Sequence, residues 1–468
     1  MPREITPEEK RTVTEMVEKA RAAMAQVAHY DQAQVDRLAQ AIAWAVGNEA
    51  TFTRLSQMGV DESGAGDRVG RPNKRFKIHG ILRDALRQPS VGVIEEIPEL
   101  GIVKYAKPAG VIASIVPMTN PALTPPGTAI NAMKAKDAVI FSPHPRTKET
   151  TNEVVRIMRD VLAREGAPVD LFQCVESPSI PLAQELMATC DMILATGGPA
   201  MVKAAYSSGK PAFGVGAGNS TIVIDETADI EEAARNTRIS KTSDFGSGCS
   251  SDGNALIDSA IYDDLVAQLQ AEGGYLADAE EKQLLEAAMW NSDGSRTIET
   301  IAQPATKLAA AAGFSLPDDR TFIIVEQAEI GKTHRFSGEK LTSLLAVYRY
   351  DGFDNALDMV RRIYEVGGAG HSCGIYSFDD DHIDALARLA PVSRMMVRQP
   401  QSKANAGSFT NGMPMTSSLG CGIWGGNITN ENISLKHFLN VTWVSRPIAE
   451  DRPSEQELFG EFYGTETP

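Results

Sequence analysis

The residue best equipped for chemistry in this sequence of 468 residues is Cys249, in Gly246-Ser-Gly-Cys-Ser-Ser-Asp-Gly253. Glycine, serine and aspartate do not build an apolar core. Small neighbours leave a thiol approachable and backbone N–H groups free to donate, the conditions a nucleophilic thiol needs. The competing reading of a lone cysteine is a small buried hydrophobe. That reading suits Cys174 in a strand pattern, Cys190 at a helix end and Cys373 at a strand start, while Cys421, flanked by glycines, is the rival nucleophile. Five cysteines, odd in number, widely spaced and lacking a Cys-x-x-Cys pair, make neither a disulfide framework nor a zinc ribbon.

His371 follows four small residues in Gly367-Gly-Ala-Gly-His-Ser-Cys373, which sets it on a loop. Two readings stand: assistance in proton transfer, or a loop histidine bonded to backbone. Ala195-Thr-Gly-Gly198 lies between a strand pattern and a helix pattern, where free N–H groups can hold phosphate or simply make a tight turn. Gly420-x-Gly-x-x-Gly425 matches the dinucleotide fingerprint in letters only, since no strand precedes it and no helix follows. No His/Glu/Asp cluster has metal-ligand spacing, so no metal is expected, and there is no Gly-x-Ser-x-Gly elbow.

These residues need a frame. The first ninety or so positions read as helical: Thr6-Pro-Glu-Glu9 offers a cap, a first-turn proline and a capping-box glutamate, and a second amphipathic stretch ends at Gly47. Residues 60–77, rich in glycine and charge, read as loop followed by a short helix. Near residue 91 the period changes, and two β-rich runs joined through Pro98 predict a hairpin. Short apolar runs at 111–116, 138–141, 171–175 and 192–195 then alternate with helical patterns, which implies a parallel, doubly wound sheet. A second α/β pattern follows, with runs at 221–224, 255–257, 322–325, 344–348 and 373–376.

Composition narrows the partners. Hydrophobic residues at 43% and charged residues at 23% are ordinary for a globular chain, and the net charge of −16 gives no general attraction to nucleic acid or an anionic membrane. No apolar run reaches membrane-spanning length. The polar, acidic start is unlike a secretory signal, and with the cysteine usage it leads to the expectation of a cytoplasmic protein.

Taken in order, Pro117-Met-Thr-Asn-Pro121, Ser142-Pro-His-Pro145, Ala195-Thr-Gly-Gly198, Gly214-Val-Gly-Ala-Gly-Asn219, the Cys249 loop, Gly370-His371 and Leu419-Gly-Cys-Gly-Ile-Trp-Gly425 carry a resemblance. Residues 91–437 resemble the aldehyde dehydrogenase superfamily, specifically its CoA-acylating branch, with motif order and spacing similar to succinate-semialdehyde and acetaldehyde acylating enzymes. The resemblance implies an α/β fold with a Rossmann-like cofactor domain (1–92 and 108–219), a second α/β catalytic domain (220–415), and an oligomerisation arm and tail (93–107 and 427–468). A homodimer or homotetramer is implied with it.

It also implies roles. Cys249 falls on the nucleophile, Asn120 on the oxyanion-hole amide, and His371 on a candidate proton-transfer group. Pro117, Thr119, Gly197, Gly198, Val215 and Gly216 fall on the cofactor turns. Ser142, His144, Pro145 and Arg146 fall on the segment around the adenosine ribose, and Glu339 where relatives hold the nicotinamide ribose. At Val215 hydrolytic relatives carry the glutamate that activates water. Bulk water, with a pKa of about 15.7, needs such a base, whereas a thiol near ~8.5 is already partly ionised. An enzyme that releases its acyl group to a thiol can dispense with the glutamate, and coenzyme A is the obvious thiol.

The implied reaction is oxidation of a small anionic aldehyde to its acyl-CoA with reduction of NADP or NAD, through a thiohemiacetal and a thioester on Cys249. The tail, Arg446-Pro-Ile-Ala-Glu-Asp-Arg452, is similar to that of acylating sulfoacetaldehyde dehydrogenases, which ranks sulfoacetaldehyde first and succinate semialdehyde second. Either substrate needs a cation, for which Arg238, Lys241 and Lys403 are candidates. Arg146 and Lys148 stand where a 2′-phosphate would be met and tilt the choice toward NADP. The alternatives are a non-acylating enzyme releasing free acid, and a glutamyl-phosphate reductase-like enzyme using phosphate.

Overall fold

The computed structural model describes residues 3–465. The chain opens with the capping box expected from its sequence: Glu9 N–H donates to Thr6 Oγ1 at 3.2 Å and Thr6 N–H donates to the Glu9 carboxylate at 3.0 Å, starting the helix Pro7–Val27. A second helix, Gln32–Gly47, is followed at once by a third, Glu49–Ser63, because Asn48 caps it through Thr51 N–H at 3.1 Å. The loop expected from residue 60 therefore begins only after Ser63. Gly59 lets this helix approach the 117–121 turn: a Cβ there would meet Pro121 Cγ at 2.9 Å. A single 3₁₀ turn, Arg71–Lys74, leads into the helix Arg75–Leu86.

Among the described residues, fifteen strands in three sheets follow. The chain first makes a hairpin of β1 (Val93–Ile97) and β2 (Ile102–Pro108), antiparallel with a bulge between Val93 and Glu95. A wholly parallel sheet comes next, formed by β3 (Val111–Ile115), β4 (Ala138–Ser142), β5 (Phe172–Cys174), β6 (Met192–Thr196) and β7 (Ala212–Val215) in the order 5-4-3-6-7. Every residue of β3 and β4 is buried, which is why these strands read as continuous apolar runs rather than alternating ones. Ile115 pairs with Ser142 on one side and Ala195 on the other, so the turns after β3, β4 and β6 share one edge. The strand order reverses between β3 and β6, and in sheets of this kind the crevice at such a switch receives ligands.

The second parallel sheet comprises β8 (Thr221–Ile224), β9 (Asn254–Asp258), β10 (Gly274–Leu276), β11 (Phe322–Glu326), β12 (Leu344–Tyr350), β13 (Cys373–Tyr376) and β14 (Met395–Val397), in the order 10-11-12-9-8-13-14. Successive side chains of β8 go to opposite faces: Ile222 and Ile224 join one apolar cluster and Val223 the other. Thr221 pairs with both Cys373 and Asn254, so the segments entering β8, β9 and β13 meet at the amino edge of this sheet. Finally β15 (Leu439–Ser445) returns antiparallel to β2, completing the three-stranded sheet 1-2-15. Among the described residues, no helix is long and apolar enough to cross a membrane. The α/β architecture expected from the alternating runs is present.

Candidate active site

Cys249 lies on the segment entering β9, beyond an unusual bend. Asp244 and Phe245 both have left-handed backbone, φ 51° and 52°, a costly conformation for residues with side chains that persists only where the surroundings enforce it. Asp244 is held on every side. Its carboxylate accepts from Arg71 Nε at 3.0 Å, Lys74 Nζ at 2.7 Å, Ser247 Oγ at 2.8 Å and the backbone N–H of Asp67 at 2.7 Å. Burial pushes this carboxyl up, but the two cations outweigh it and hold it down to about 2. The bend turns the chain toward Gly218, which must be glycine because a Cβ there would meet the Cys249 carbonyl oxygen at 2.0 Å.

His371 enters from the segment before β13. Its Nε2 is 3.0 Å from Cys249 Sγ and its Nδ1 is 2.8 Å from Ser372 Oγ. Ser372 Oγ is 2.9 Å from Ser220 Oγ, which donates to the Cys249 carbonyl at 3.3 Å. Because that carbonyl can only accept, the chain has one direction. Ser220 gives its proton to the carbonyl and accepts from Ser372, and Ser372 accepts from His371 Nδ1–H. The imidazole is thereby set as the tautomer whose Nε2 lone pair faces the thiol. Two further bonds fix the loop: Tyr364 Oη donates to the Ser372 carbonyl at 2.7 Å, and Arg394 Nη1 donates to the His371 carbonyl at 2.9 Å.

Burial, then the nearby Glu339 and Cys421, push the Cys249 thiol up to about 12 rather than leaving it near the free value. Burial and then Arg394 push His371 down to about 3. The resting pair is therefore neutral thiol and neutral imidazole, and a thiolate forms only as the proton moves to Nε2. His371, expected on a loop, is on one, but it is wholly buried because Gly370 (φ 87°) folds it beneath the Cys421 segment. Cys421 is buried too, with Sγ donating to the Leu419 carbonyl at 3.6 Å, and among the described residues no histidine bonds to it.

Asn120 lies in the turn after β3. Its side-chain oxygen accepts from Lys74 Nζ at 2.8 Å, which leaves the amide N–H₂ to point elsewhere. Pro117 and Thr119 are in the same turn, and Gly197 and Gly198 are in the turn after β6. Gly198 caps the helix Pro199–Tyr206 with no side-chain bond, and a Cβ added there would meet nothing, so open space adjoins this helix N-terminus. Ser142 is buried at the end of β4, and Pro145 and Arg146 begin a 3₁₀ turn in which Arg146 N–H donates to His144 Nδ1 at 3.2 Å. Val215 ends β7 with its side chain buried, and Gly216 follows near Gly425. The Glu339 carboxylate accepts from Gly218 N–H at 2.9 Å, and burial raises it to about 7 against the pull of that N–H and Lys241.

Of the three nominated cations, Arg238 is paired with Glu272 at 2.6 Å and Lys241 donates to the Asp252 carbonyl at 2.8 Å. Lys403 reaches Ser243 Oγ at 2.8 Å, beside the Asp244 bend. Lys74, Ser220 and Ser372 were not singled out from sequence. The only available signal for the serines was adjacency to named motif residues, and Lys74 had none. One further cluster lacked any sequence signal: Asp225, Glu226 and His382 gather ligand atoms within 4.8 Å, but Asp225 already accepts from Thr227 and pairs with His382 at 2.9 Å.

Comparison with known proteins agrees with this frame. The family model described as "Aldehyde dehydrogenase family" matches residues 3–310. A sulfoacetaldehyde dehydrogenase of Acholeplasma sp is 43% identical over 451 residues, covering 95% of this chain and 93% of that protein. A sulfoacetaldehyde dehydrogenase (acylating) of Bilophila wadsworthia is 39% identical over 458 residues, covering 97% and 99%. Among solved structures, an acetylating aldehyde dehydrogenase from Geobacillus thermoglucosidasius superposes with a TM-score of 0.92 at 35% identity, covering 96% of this chain and 99% of that one.

Proposed function

This chain belongs to the aldehyde dehydrogenase family, and from that premise we propose that it is a CoA-acylating member that oxidises sulfoacetaldehyde to its acyl-CoA. The observation that carries the reading is the 3.0 Å contact between His371 Nε2 and Cys249 Sγ, a base facing a sulfur. Val215 supports it, since a buried aliphatic side chain offers a water molecule no proton acceptor. The two relatives named above favour sulfoacetaldehyde over succinate semialdehyde.

On this reading His371 Nε2 takes the thiol proton as Cys249 Sγ bonds to the carbonyl carbon. The Asn120 amide, its oxygen held by Lys74, turns N–H toward the developing oxyanion together with the Cys249 backbone N–H. Losing one such donor typically costs ~10²–10³ in rate. A bound nicotinamide dinucleotide supplies the hydride acceptor. The residues that would hold it are Pro117, Thr119, Ser142, His144, Pro145, Arg146, Gly197, Gly198, Val215, Gly216 and Glu339, and the open space at Gly198 beside a helix N-terminus fits a diphosphate. His371, neutral again after losing its proton to solvent, takes the CoA thiol proton. The CoA sulfur displaces Cys249, which recovers that proton as it leaves.

NAD suits the adenosine turn better than NADP. Arg146 and Lys148 tilt the sequence toward NADP, but Arg146 Nη2 is engaged by the Ser63 carbonyl, and the Glu62 carboxylate accepts from Glu149 and Thr150 N–H at 2.9 Å each, which adds a negative charge to this turn.

The reading is tested by product formation. Without CoA, reduced nucleotide should appear as a burst of one equivalent per active site; with CoA, steady turnover to acyl-CoA should follow, and phosphate should not replace CoA. Glu339 gives the hydrolytic reading one specific support, because a buried carboxylate near 7 beside Cys249 has a base's pKa. Steady turnover to free acid without CoA would overturn the acylating reading in its favour.

A further inference from the structure

Residues 71–77, 243–244 and 403, joined to the site through the Lys74–Asn120 bond, bring together more cations than carboxylates. Arg71 and Lys74 both bond the Asp244 carboxylate, at 3.0 and 2.7 Å, in surroundings where the Arg71 side chain is 4% exposed and that of Lys74 22%. Lys403 Nζ ends at Ser243 Oγ, next to the same carboxylate. Lys77 meets no carboxylate among the described residues: it donates to the carbonyl oxygens of Lys403 and Ala406 at 3.2 Å, to that of Gly407, and to Met415 Sδ at 4.0 Å. Three cations thus gather around Asp244, with Asp67 alongside, in a chain whose net charge is −16. Arg71 Nη1 is buried with no hydrogen-bond partner among the described residues. Burying unmatched charge is costly, so such a cluster calls for an anion.

We propose that Lys74 and Lys403 form the subsite for the anionic group of the aldehyde, and that this group is a sulfonate. The inference rests on the acylating reading of Cys249 and deepens it by naming the residues that select the substrate. Lys74 is the link between charge and chemistry. The same ammonium holds the Asn120 side-chain oxygen at 2.8 Å, so it stands one side chain away from the amide assigned to the oxyanion. In sulfoacetaldehyde a single methylene separates the anion from the reacting carbonyl, so an ammonium bonded to the oxyanion-facing amide is the cation we assign to it. The residue types agree. Ammonium point charges on flexible stems grip a tetrahedral oxyanion from several sides without the bidentate geometry of an arginine fork, and the choice of a sulfonate follows the substrate reading above. The one arginine in the cluster, Arg71, has its Nε and one terminal nitrogen on Asp244.

The test compares two substrates of similar size. Turnover of sulfoacetaldehyde and of propionaldehyde, each with CoA and NAD, is measured for the wild type, Lys403→Met and Lys74→Met. The wild type should favour the sulfonate. In Lys403→Met the ratio of the two kcat/KM values should fall about ten- to hundredfold, mostly through KM for sulfoacetaldehyde, the range expected for a hydrogen bond to a charged group. Lys74→Met should lower kcat for both aldehydes, because Asn120 is released, and should lower the ratio as well. Ethanesulfonate gives a readout independent of turnover: it should compete with propionaldehyde in the wild type and bind at least tenfold more weakly to Lys403→Met. An unchanged ratio in both variants, or ethanesulfonate inhibition that both variants retain, would overturn the subsite. Wild-type turnover of propionaldehyde without sulfoacetaldehyde would overturn it too and leave the acylating reading standing, whereas no acyl-CoA from either aldehyde would remove that reading itself.

Discussion

Two polar clusters adjoin the Cys249 loop, and they are built on opposite principles. The chain from His371 through Ser372 and Ser220 to the Cys249 carbonyl contains no charge. Its groups are buried, each donor has one acceptor, and the direction of every proton follows from the terminal carbonyl. The cluster of Arg71, Lys74, Lys403 and Asp244 is charged throughout, unbalanced, and opens partly to solvent. A neutral chain suits orienting a proton acceptor, because it fixes the imidazole tautomer without setting a charge beside the thiol. An unbalanced one suits binding an ion, because the ion completes it. Asp244 belongs to both sides of the comparison: its left-handed bend carries the backbone on to Cys249, and the cations that stabilise the bend are the ones left in excess.

The largest effect tests the centre from which both clusters radiate. Cys249→Ala should remove turnover by roughly four orders of magnitude or more while leaving the fold and the ethanesulfonate competition site intact, as judged by circular dichroism and by ethanesulfonate binding. If Cys421 were the nucleophile, that variant would keep activity and Cys421→Ala would lose it.

His371→Ala should cost about 10²–10⁴ in kcat, the range for a positioned general base. The pH profile sharpens this. With Cys249 pushed up to about 12 and His371 down to about 3, the free enzyme holds a neutral pair across the physiological range. Iodoacetamide inactivation should therefore climb steadily from pH 7 to pH 10. A thiolate–imidazolium pair would instead give a plateau already reached at pH 6, and that plateau would break the contrast drawn between the two clusters.

The serines should matter less, and together. In Ser372→Ala or Ser220→Ala the imidazole loses its preset tautomer, and kcat should fall about tenfold, the cost of about one hydrogen bond. The double variant should be no worse than either single one, since both act through the same proton order. Additive losses would mean that the two serines only pack.

How much of this was legible depends on chain distance and on local signals. The turns after β3, β4 and β6 were readable because strand, glycine or proline, and helix succeed one another within a few residues. β7 was not, because Gly214 breaks its apolar run; the structure needs that glycine, since a Cβ would meet Tyr206 Cε2 at 2.7 Å. β10 and β14 have three residues each, too few to show a period. Cys249 and His371 were each conspicuous among small residues, but their contact spans 122 positions, and the Lys74–Asp244 pair spans 170. Nothing local marks a lysine as a partner of a bend that far away. Arg238 and Lys241 had the opposite fault: close to Cys249 in sequence, they belong to a helix whose geometry turns them to Glu272 and the Asp252 carbonyl.

The smallest effect on catalysis should come from the region least like either cluster. The groups around Cys249 are buried, whereas β15 is exposed along nearly its whole length and carries Val441 at 40% and Trp443 at 59% exposure on an open sheet edge. Such an edge is a template for pairing with another chain. We propose that it seats on a second copy of this chain, forming the arm of a homodimer or homotetramer. The ammonium of Lys104 lies 4.1 Å from the Trp443 ring centre. Sedimentation velocity should find the wild type oligomeric at micromolar concentration and Trp443→Lys shifted toward monomer. kcat per site should change by less than about threefold, because no residue of the two clusters lies on this sheet and distant sites act nearly independently. A wild type that sediments as a monomer would remove the arm's role. A Trp443→Lys variant that dissociates and also loses its preference for the sulfonate would mean that the cation cluster depends on the assembly.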